Sequence, residues 1–302
     1  MAQITLAQAA VLGLDDLQSG IAETIVTVAP GLGLIPFNIV AGNSYSYNRE
    51  TTLVDGQKIA ADGTITDSSA FTNTTQYVNL TGISGQSDIN KMHLAQQVGV
   101  NGGNDLRAMH LASAAKGVAR KYLDWLANGT LAANGFDGLA AIMAGADFTS
   151  QVEDAANAAF SLDLVDATFS RCLVRPQFMM GNAKMENQFR KAMRAAGGIT
   201  SVELNGQYFM AYDGVPFIRN DYIPVDNVGG TAGNQSNLFV GSWDDGSASG
   251  GLAGITTAGP LFHVDEIPAL EGKNAMRMRV VMYGAAAVFS PVTMAVLKNT
   301  TV

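Results

Sequence analysis

This chain has few of the residues that build reactive or metal-binding sites. Its 302 residues include one cysteine, Cys172, and three histidines. A single cysteine excludes an intramolecular disulfide framework, and the absence of CxxC and HExxH patterns excludes the common zinc arrangements. The histidines, His93, His110 and His263, are spaced so that no two share a helical face. We therefore expect no metal and no cofactor, and we expect Cys172, beside an apolar segment, to be buried and inert.

Charged residues are also scarce, at 15% of the chain with a net charge of −8, against roughly 25% in an ordinary soluble domain. A surface with so little charge suggests extensive contact with other protein. The acidic balance argues against tight nucleic-acid binding, which needs clustered Lys and Arg. Hydrophobic residues make up 47% of the chain, which predicts a globular protein.

Long apolar runs are missing as well. Residues 21–40 are interrupted by Glu23, Pro30 and Pro36, so no window reaches the ~18 apolar residues that a membrane-spanning helix needs. The N-terminus lacks the basic region of a signal peptide. No membrane association is expected.

Familiar catalytic motifs are incomplete. Gly31 and Gly33 lack the third glycine of a dinucleotide loop, and Ala248 stands where a nucleophile elbow needs serine. Gly272 lacks the preceding glycine of a phosphate loop. Several aspartates lie in turn-rich segments, but their spacing differs from a calcium-binding loop and ordinary turn residues are favoured; they are Asp55, Asp62, Asp67, Asp244 and Asp245.

The first third of the chain predicts an arm followed by a long two-stranded excursion. Residues 1–29 show a short helical pattern over 4–17 and no core of their own. Alternation through Tyr45 and Tyr47 predicts an outgoing strand, and residues 72–83 alternate again and predict the returning strand. Between them the chain is polar, with hairpin-type turn signals where Asp55 and Asp62 each precede glycine.

The remaining pattern mixes helices and strands, which predicts an α+β fold. Asp88 is predicted to cap a helix that runs to residue 98, and apolar spacings of three and four predict the longest helix over 106–127. Further helices are predicted over 161–171 and 182–196, and strands over 173–176, 207–212, 215–219, 238–241 and 275–289.

Several short stretches, in order, resemble the major capsid proteins of tailed bacteriophages with the Hong Kong 97-type fold. The stretch GNSYSYNRET is similar to the beginning of the family's extended hairpin, the E-loop, and NGTLAANGFDGLAAIM to the junction that leads into its A-domain. Four later stretches continue the likeness, and they read RPQFMMGNAKMENQFRKAMRAAGG, YDGVPFIRNDYIP, NLFVGSWDDG and YGAAAVFSPVTMAVL.

The resemblance implies a Hong Kong 97-like capsid fold with an N-terminal arm, an extended E-loop hairpin, a spine helix, a P-domain and an A-domain. The implied division is arm 1–29, E-loop and flanking strands 30–87, P-domain with spine helix 88–135, A-domain 136–263, and C-terminal strands 264–302 that return to the P-domain. It also implies residues for assembly: Arg49, Glu50, Asp55, Lys58, Asp62, Trp125 and Trp243.

The implied function is structural. Identical subunits would form pentamers and hexamers of a virion capsid, assembled in the host cytoplasm around double-stranded DNA that they contact weakly and without sequence specificity. A separate scaffolding protein and a portal are expected partners, and a cementing protein is left open. Some relatives link an E-loop lysine to an asparagine; Lys58 lies in that region, but no acceptor matches, so a solvated lysine is favoured. The alternatives are an encapsulin, which uses this fold for a protein compartment, and an enzyme or adhesin with an unrecognised site.

Overall fold

The computed structural model describes residues 31–52, 58–59, 61–63, 72–98, 106–133, 135–204, 206–225, 234–247 and 250–302. The predicted arm, the turn at Asp55 and the loop residue Asp67 lie outside the described residues. The described helices are α1 (Lys91–Val98), α2 (Leu106–Asn128), α3 (Leu139–Ile142), α4 (Leu162–Arg171) and α5 (Ala183–Ala195).

Fourteen strands are described, and they form three separate sheets. In chain order they are β1 (Phe37–Val40), β2 (Ser44–Thr52), β3 (Thr72–Asn79), β4 (Thr81–Asn90), β5 (Val152–Asp154), β6 (Phe178–Gly181), β7 (Thr200–Leu204), β8 (Gln207–Tyr212), β9 (Val215–Arg219), β10 (Gln235–Gly241), β11 (Leu252–Thr257), β12 (Phe262–Ile267), β13 (Ala275–Val288) and β14 (Met294–Thr301).

The first sheet is built around β13, the longest strand described. β13 pairs antiparallel with β4, β11 and β12, and β1 joins β11 in parallel. Alternate β13 residues, including Met278, Val280 and Met282, are buried in the larger core cluster, as a strand with one covered face requires. The long helix α2 packs over β4 and β13. The approach is so close that a Cβ at Gly85 would lie 2.5 Å from the carbonyl oxygen of Ala114.

The second sheet has seven strands in the order β5-β14-β10-β6-β9-β8-β7. Most neighbours are antiparallel, whereas β5 with β14 and β6 with β9 are parallel. A second core cluster lies between this sheet and helices α4 and α5. Both helices begin as the sequence predicts, because the side chains of Ser161 and Asn182 accept hydrogen bonds from the backbone at their N-termini.

The third sheet is the hairpin β2–β3, in which Ser44 faces Asn79 and Thr52 faces Thr72. Among the described residues these two strands pair only with each other. Leu80 alone separates β3 from β4, so the returning strand continues into the first sheet. The two-stranded excursion predicted from the alternation is confirmed.

Two local predictions were wrong. Asp88 does not cap a helix; it lies in β4 opposite Arg277, and the side chain of Asn90 instead accepts a hydrogen bond from the Met92 backbone. The predicted strand at 173–176 is an irregular connection, and the strand follows it as β6. Asp88 was misassigned because a residue that can cap a helix can also pair across a sheet.

The C-terminal segment contributes to both large sheets rather than to the first alone. β13 is the central strand of the first sheet, whereas β14 pairs with β10 and β5 in the second. In the other direction, β11 and the first two residues of β12 belong to the first sheet although they precede residue 264. The two cores are therefore joined by chain segments that cross between them.

Candidate assembly site at the base of the hairpin

The base of the hairpin is held by side chains that β2 presents on one face. Tyr45, Tyr47 and Arg49 alternate along the strand, and residues two apart in a strand point to the same side. They meet the end of β13, where Val288 is followed by Phe289. We call Tyr45, Tyr47, Arg49, Asp147 and Phe289 the hairpin-base cluster.

Arg49 is the centre of this cluster, with a side chain only 8% exposed. Its Nη1 donates to Oδ2 of Asp147 at 2.8 Å, and its Nη2 donates to the carbonyl oxygen of Val288 at 2.7 Å. Its Nε donates to the carbonyl oxygen of Phe289 at 3.2 Å. The guanidinium is therefore both charge-compensated and hydrogen-bonded, as a buried cation must be.

Aromatic rings surround the guanidinium. The Tyr47 ring meets Phe289 edge-on at 5.0 Å between centroids, and its hydroxyl donates to the carbonyl oxygen of Val288 at 3.0 Å. The Arg49 guanidinium lies 5.2 Å from the centre of the Phe148 ring. Burial raises the pKa of the Tyr47 hydroxyl, which Arg49 opposes, so Tyr47 stays protonated and keeps its donor.

A cavity of about 360 Å³ lies beside the cluster. Its walls come from the hairpin, from residues 136–148 and from Ala286–Val288 of β13. Arg49 and Asp147 border it. A recess therefore remains between the hairpin and the body of the subunit, beside the contacts of Arg49.

The described residues among those named for assembly in the hairpin differ in exposure. Lys58 and Asp62 are exposed, and Asp62 lies in a turn as predicted. Glu50 lies in β2 opposite Asn73, and Asp55 falls outside the described residues. Arg49 differs from Lys58 and Asp62, because its side chain is buried and hydrogen-bonded within the chain.

The two tryptophans named for assembly are each half-buried. Trp125 packs on Phe136 with centroids 6.1 Å apart, and the Lys121 ammonium lies 5.6 Å from its ring. Trp243 stacks on Phe178 at 4.1 Å. Each ring is fixed by its own subunit's core.

Trp243 also borders an open groove of about 660 Å³. The groove is lined mainly by apolar side chains, among them Leu34, Val202, Leu204 and Val215. One edge of the Trp243 ring therefore remains available at the surface of the second sheet.

The surroundings of Cys172 determine its reactivity. Cys172 is half-buried rather than fully buried, and burial raises the pKa of its thiol to about 11, which keeps it in the unreactive thiol form. Within the described part of the chain, no group of three or more His, Cys, Asp or Glu residues is placed to hold a metal ion. No helix in that part is long and apolar enough to cross a membrane.

Asp147 and Phe289 were missed by the sequence reasoning. Asp147 is 98 residues from Arg49 and Phe289 is 240 residues away, so no local pattern links them. The available signal was the alternation of Tyr45, Tyr47 and Arg49, which places two rings and a cation on one face of β2.

No family model matches this sequence, and no curated protein matches it. Solved structures do. The holo-SrpI encapsulin complex from Synechococcus elongatus PCC 7942 aligns with a TM-score of 0.70 at 18% identity, over 91% of this chain and 89% of that chain. The capsid of a native GTA particle aligns with a TM-score of 0.61 at 12% identity, over 91% of each chain.

A third match is Microbacterium phage Oxtober96, with a TM-score of 0.61 at 12% identity, over 89% of this chain and 90% of that chain. The alignments extend over nearly the whole length of the chains on both sides. The chain has the α+β, Hong Kong 97-type capsid fold, and that prediction is confirmed.

Proposed function

We propose that this chain is a major capsid protein that self-assembles into the icosahedral head enclosing the double-stranded DNA of a tailed bacteriophage. The supporting observation is the hairpin β2–β3 on a Hong Kong 97-type fold. Among the described residues the two hairpin strands pair only with each other, and an isolated two-stranded hairpin is marginal in water. A neighbouring subunit supplies the missing surface.

In this proposal the subunits form pentamers and hexamers, and the segment division is that implied by the resemblance. Residues 1–29 are the arm, 30–87 the E-loop and its flanking strands, 88–135 the P-domain with the spine helix α2, and 136–263 the A-domain. Residues 264–302 return as C-terminal strands, with β13 in the P-domain sheet and β14 in the A-domain sheet. Glu50, Asp55, Lys58 and Asp62 of the hairpin contact a neighbour, and Trp125 and Trp243 support the faces that meet it.

The role is structural rather than enzymatic. The partners are identical subunits, a scaffolding protein and a portal, with a cementing protein left open. Assembly takes place in the host cytoplasm. The net charge of −8 keeps contact with packaged DNA weak and unspecific, because phosphate is repelled on average.

A second candidate is an encapsulin-type compartment shell. It is supported by the TM-score of 0.70 with the SrpI encapsulin complex, which exceeds the 0.61 found with the GTA particle capsid. Both candidates assemble into closed shells, and they differ in what the shell contains. An encapsulin encloses a cargo protein, whereas a capsid encloses a genome.

The test is to express the chain alone and with a scaffolding protein, and to examine purified particles by electron microscopy. Capsid function predicts closed icosahedral shells whose size or yield depends on the scaffold. Uniform shells that form without a scaffold and co-purify a single enzyme would favour the encapsulin. A monodisperse monomer under every condition would contradict both.

A further inference from the structure

The attachment of the hairpin to the subunit is concentrated in one place. β2 and β3 pair only with each other among the described residues. The connection from β1 into β2 passes through Gly42, whose φ of +122° is a value that glycine adopts readily and other residues do not. A Cβ placed at Gly42 would have no other atom within 4 Å, so the chain is not packed against the body at this point. Beside this connection, the Leu80 N–H donates to the Asn43 carbonyl at 3.0 Å.

Further along β2, the side chains of Tyr45, Tyr47 and Arg49 contact the body of the subunit. Arg49 donates to two consecutive carbonyls at the end of β13 and to Asp147 in the segment after α3. Three attachment points in two separate body segments fix a direction in space, whereas one contact would leave the hairpin free to rotate.

The position of these carbonyls explains why an arginine is required. β4 pairs with β13 only as far as Gly284, and beyond that point the same edge of β13 has no strand beside it among the described residues. Backbone groups at such an edge need other partners when buried. The Arg49 fork and the Tyr47 hydroxyl serve the Val288 carbonyl there, so two side chains of the hairpin replace a missing strand.

We propose that Arg49 is a clamp that sets the angle at which the hairpin leaves the subunit. Its guanidinium substitutes for a neighbouring strand at the end of β13 and is held in place by Asp147 and the Tyr47 ring. Within the proposed shell function, on which this consequence rests, the clamp decides which part of a neighbour the hairpin covers. The clamp itself is a property of the single subunit.

The experiment measures the hairpin's direction in full-length subunits. Spin labels are placed at Asn73→Cys on the hairpin and Lys116→Cys on α2, two exposed positions, with Cys172→Ser as background. Labelled chains are diluted into unlabelled chains so that only distances within one subunit are measured by pulsed electron resonance. The readout works whether or not shells form, so failure of the clamp is distinct from failure of the proposed function.

Arg49→Met should broaden the distance distribution roughly twofold or more, because the hairpin loses the three Arg49 hydrogen bonds to the body of the subunit, while the Tyr47 bond and the hairpin's own ladder remain. The matched control is Arg175→Met, which removes an arginine that is 73% exposed and paired with Asp213, and it should leave the width unchanged. A distribution in Arg49→Met with the width and centre of the parent would overturn the clamp.

If Arg49→Met gives no folded subunit, the same distance distribution is measured in Asp147→Asn. Asp147 is 28% exposed, so its replacement by a neutral isostere is compatible with folding, and it weakens one of the three attachments. A measurable broadening of the distance distribution, smaller than that expected for Arg49→Met, supports the clamp. An unchanged distribution in Asp147→Asn, with near-ultraviolet circular dichroism matching the parent, would contradict it.

Discussion

The hairpin β2–β3 and the strand β13 are both long antiparallel elements, yet they are stabilised in different ways. β13 pairs on both edges over most of its length and buries Met276, Met278 and Met282 beneath α2. The hairpin carries Thr, Asn and Gln along β3, and its Tyr77 is 70% exposed. β13 belongs to a core, whereas the described contacts of the hairpin with the body lie at its base.

The difference separates folding from assembly. Burial of apolar surface stabilises by about 25 cal/mol per Å², so changes in β13 act on the subunit itself. Most described side chains of β3 are exposed, so under the proposed shell function we expect changes there to act on contacts between subunits. On the same proposal, part of the surface of this chain, which has only 15% charged residues, would face neighbouring subunits.

The largest expected effect comes from deleting residues 55–67, part of the segment that connects β2 to β3. Under the proposed shell function, we expect a folded subunit that forms no closed shells, because the described residues of this segment, 58–59 and 61–63, are all exposed. Electron microscopy measures shell formation, and thermal melting checks the fold. Normal shells from this deletion would show that the hairpin is dispensable and would remove the basis of the comparison.

On the β13 side, Met282→Ala should lower the free energy of unfolding by about 2–5 kcal/mol, because it leaves a cavity between the first sheet and α2. The matched change on the hairpin is Asn73→Ala, which should stay within about 0.5 kcal/mol. Denaturant unfolding of both variants measures the contrast. Equal losses in the two variants would mean that the hairpin contributes to the subunit core.

Trp125→Ala should lower the free energy of unfolding by about 2 kcal/mol. This is less than the ~3–5 kcal/mol of a fully buried aromatic residue, because the ring is half-buried against Phe136. The neighbouring Gly135 packs onto the ring so closely that a Cβ would overlap it. A melting temperature equal to that of the parent would place the stabilising contacts of α2 elsewhere.

Tyr122→Phe should raise the free energy of unfolding by about 1 kcal/mol. Tyr122 is fully buried in the core between α2 and β13, and its hydroxyl finds no hydrogen-bond partner among the described residues. Burial raises the pKa of this hydroxyl well above its usual value. Destabilisation on removing the hydroxyl would reveal a partner for it, and equilibrium unfolding in urea distinguishes the two outcomes.

The smallest expected effect concerns the pair of Asp88 in β4 and Arg277 in β13. Two hydrogen bonds from Arg277, at 2.6 and 2.9 Å, lower the pKa of Asp88. Because the pKa of Asp88 in the folded state lies below its unfolded value of about 4, the ionised carboxylate stabilises the folded state above about pH 4. This stabilisation is lost as the pH falls through the folded-state pKa. The stability difference between parent and Asp88→Asn should therefore shrink below about pH 4 in urea unfolding. A difference that is constant with pH would contradict this.

The sequence predicted those elements whose signal is local. The spacing of Val118, Tyr122 and Trp125 predicted α2, and Ser161 and Asn182 predicted the starts of α4 and α5. Contacts between distant segments were not predictable in this way. The hairpin-base cluster joins β2 to residues 98 and 240 positions away, and only the folded backbone brings them together. The prediction that Asp88 caps a helix failed for the same reason, because its partner Arg277 lies 189 residues further along the chain.

The direct continuation of β3 into β4 has a mechanical consequence. A pull on the hairpin along its length passes through Leu80 into β4, which is paired with β13 along all ten of its residues. Such a pull loads the ladder in shear, so the cross-strand hydrogen bonds resist together instead of opening one after another from an end. In the proposed shell, a force from a neighbouring subunit would then be carried into the first sheet, and subunits would share mechanical load through their hairpins.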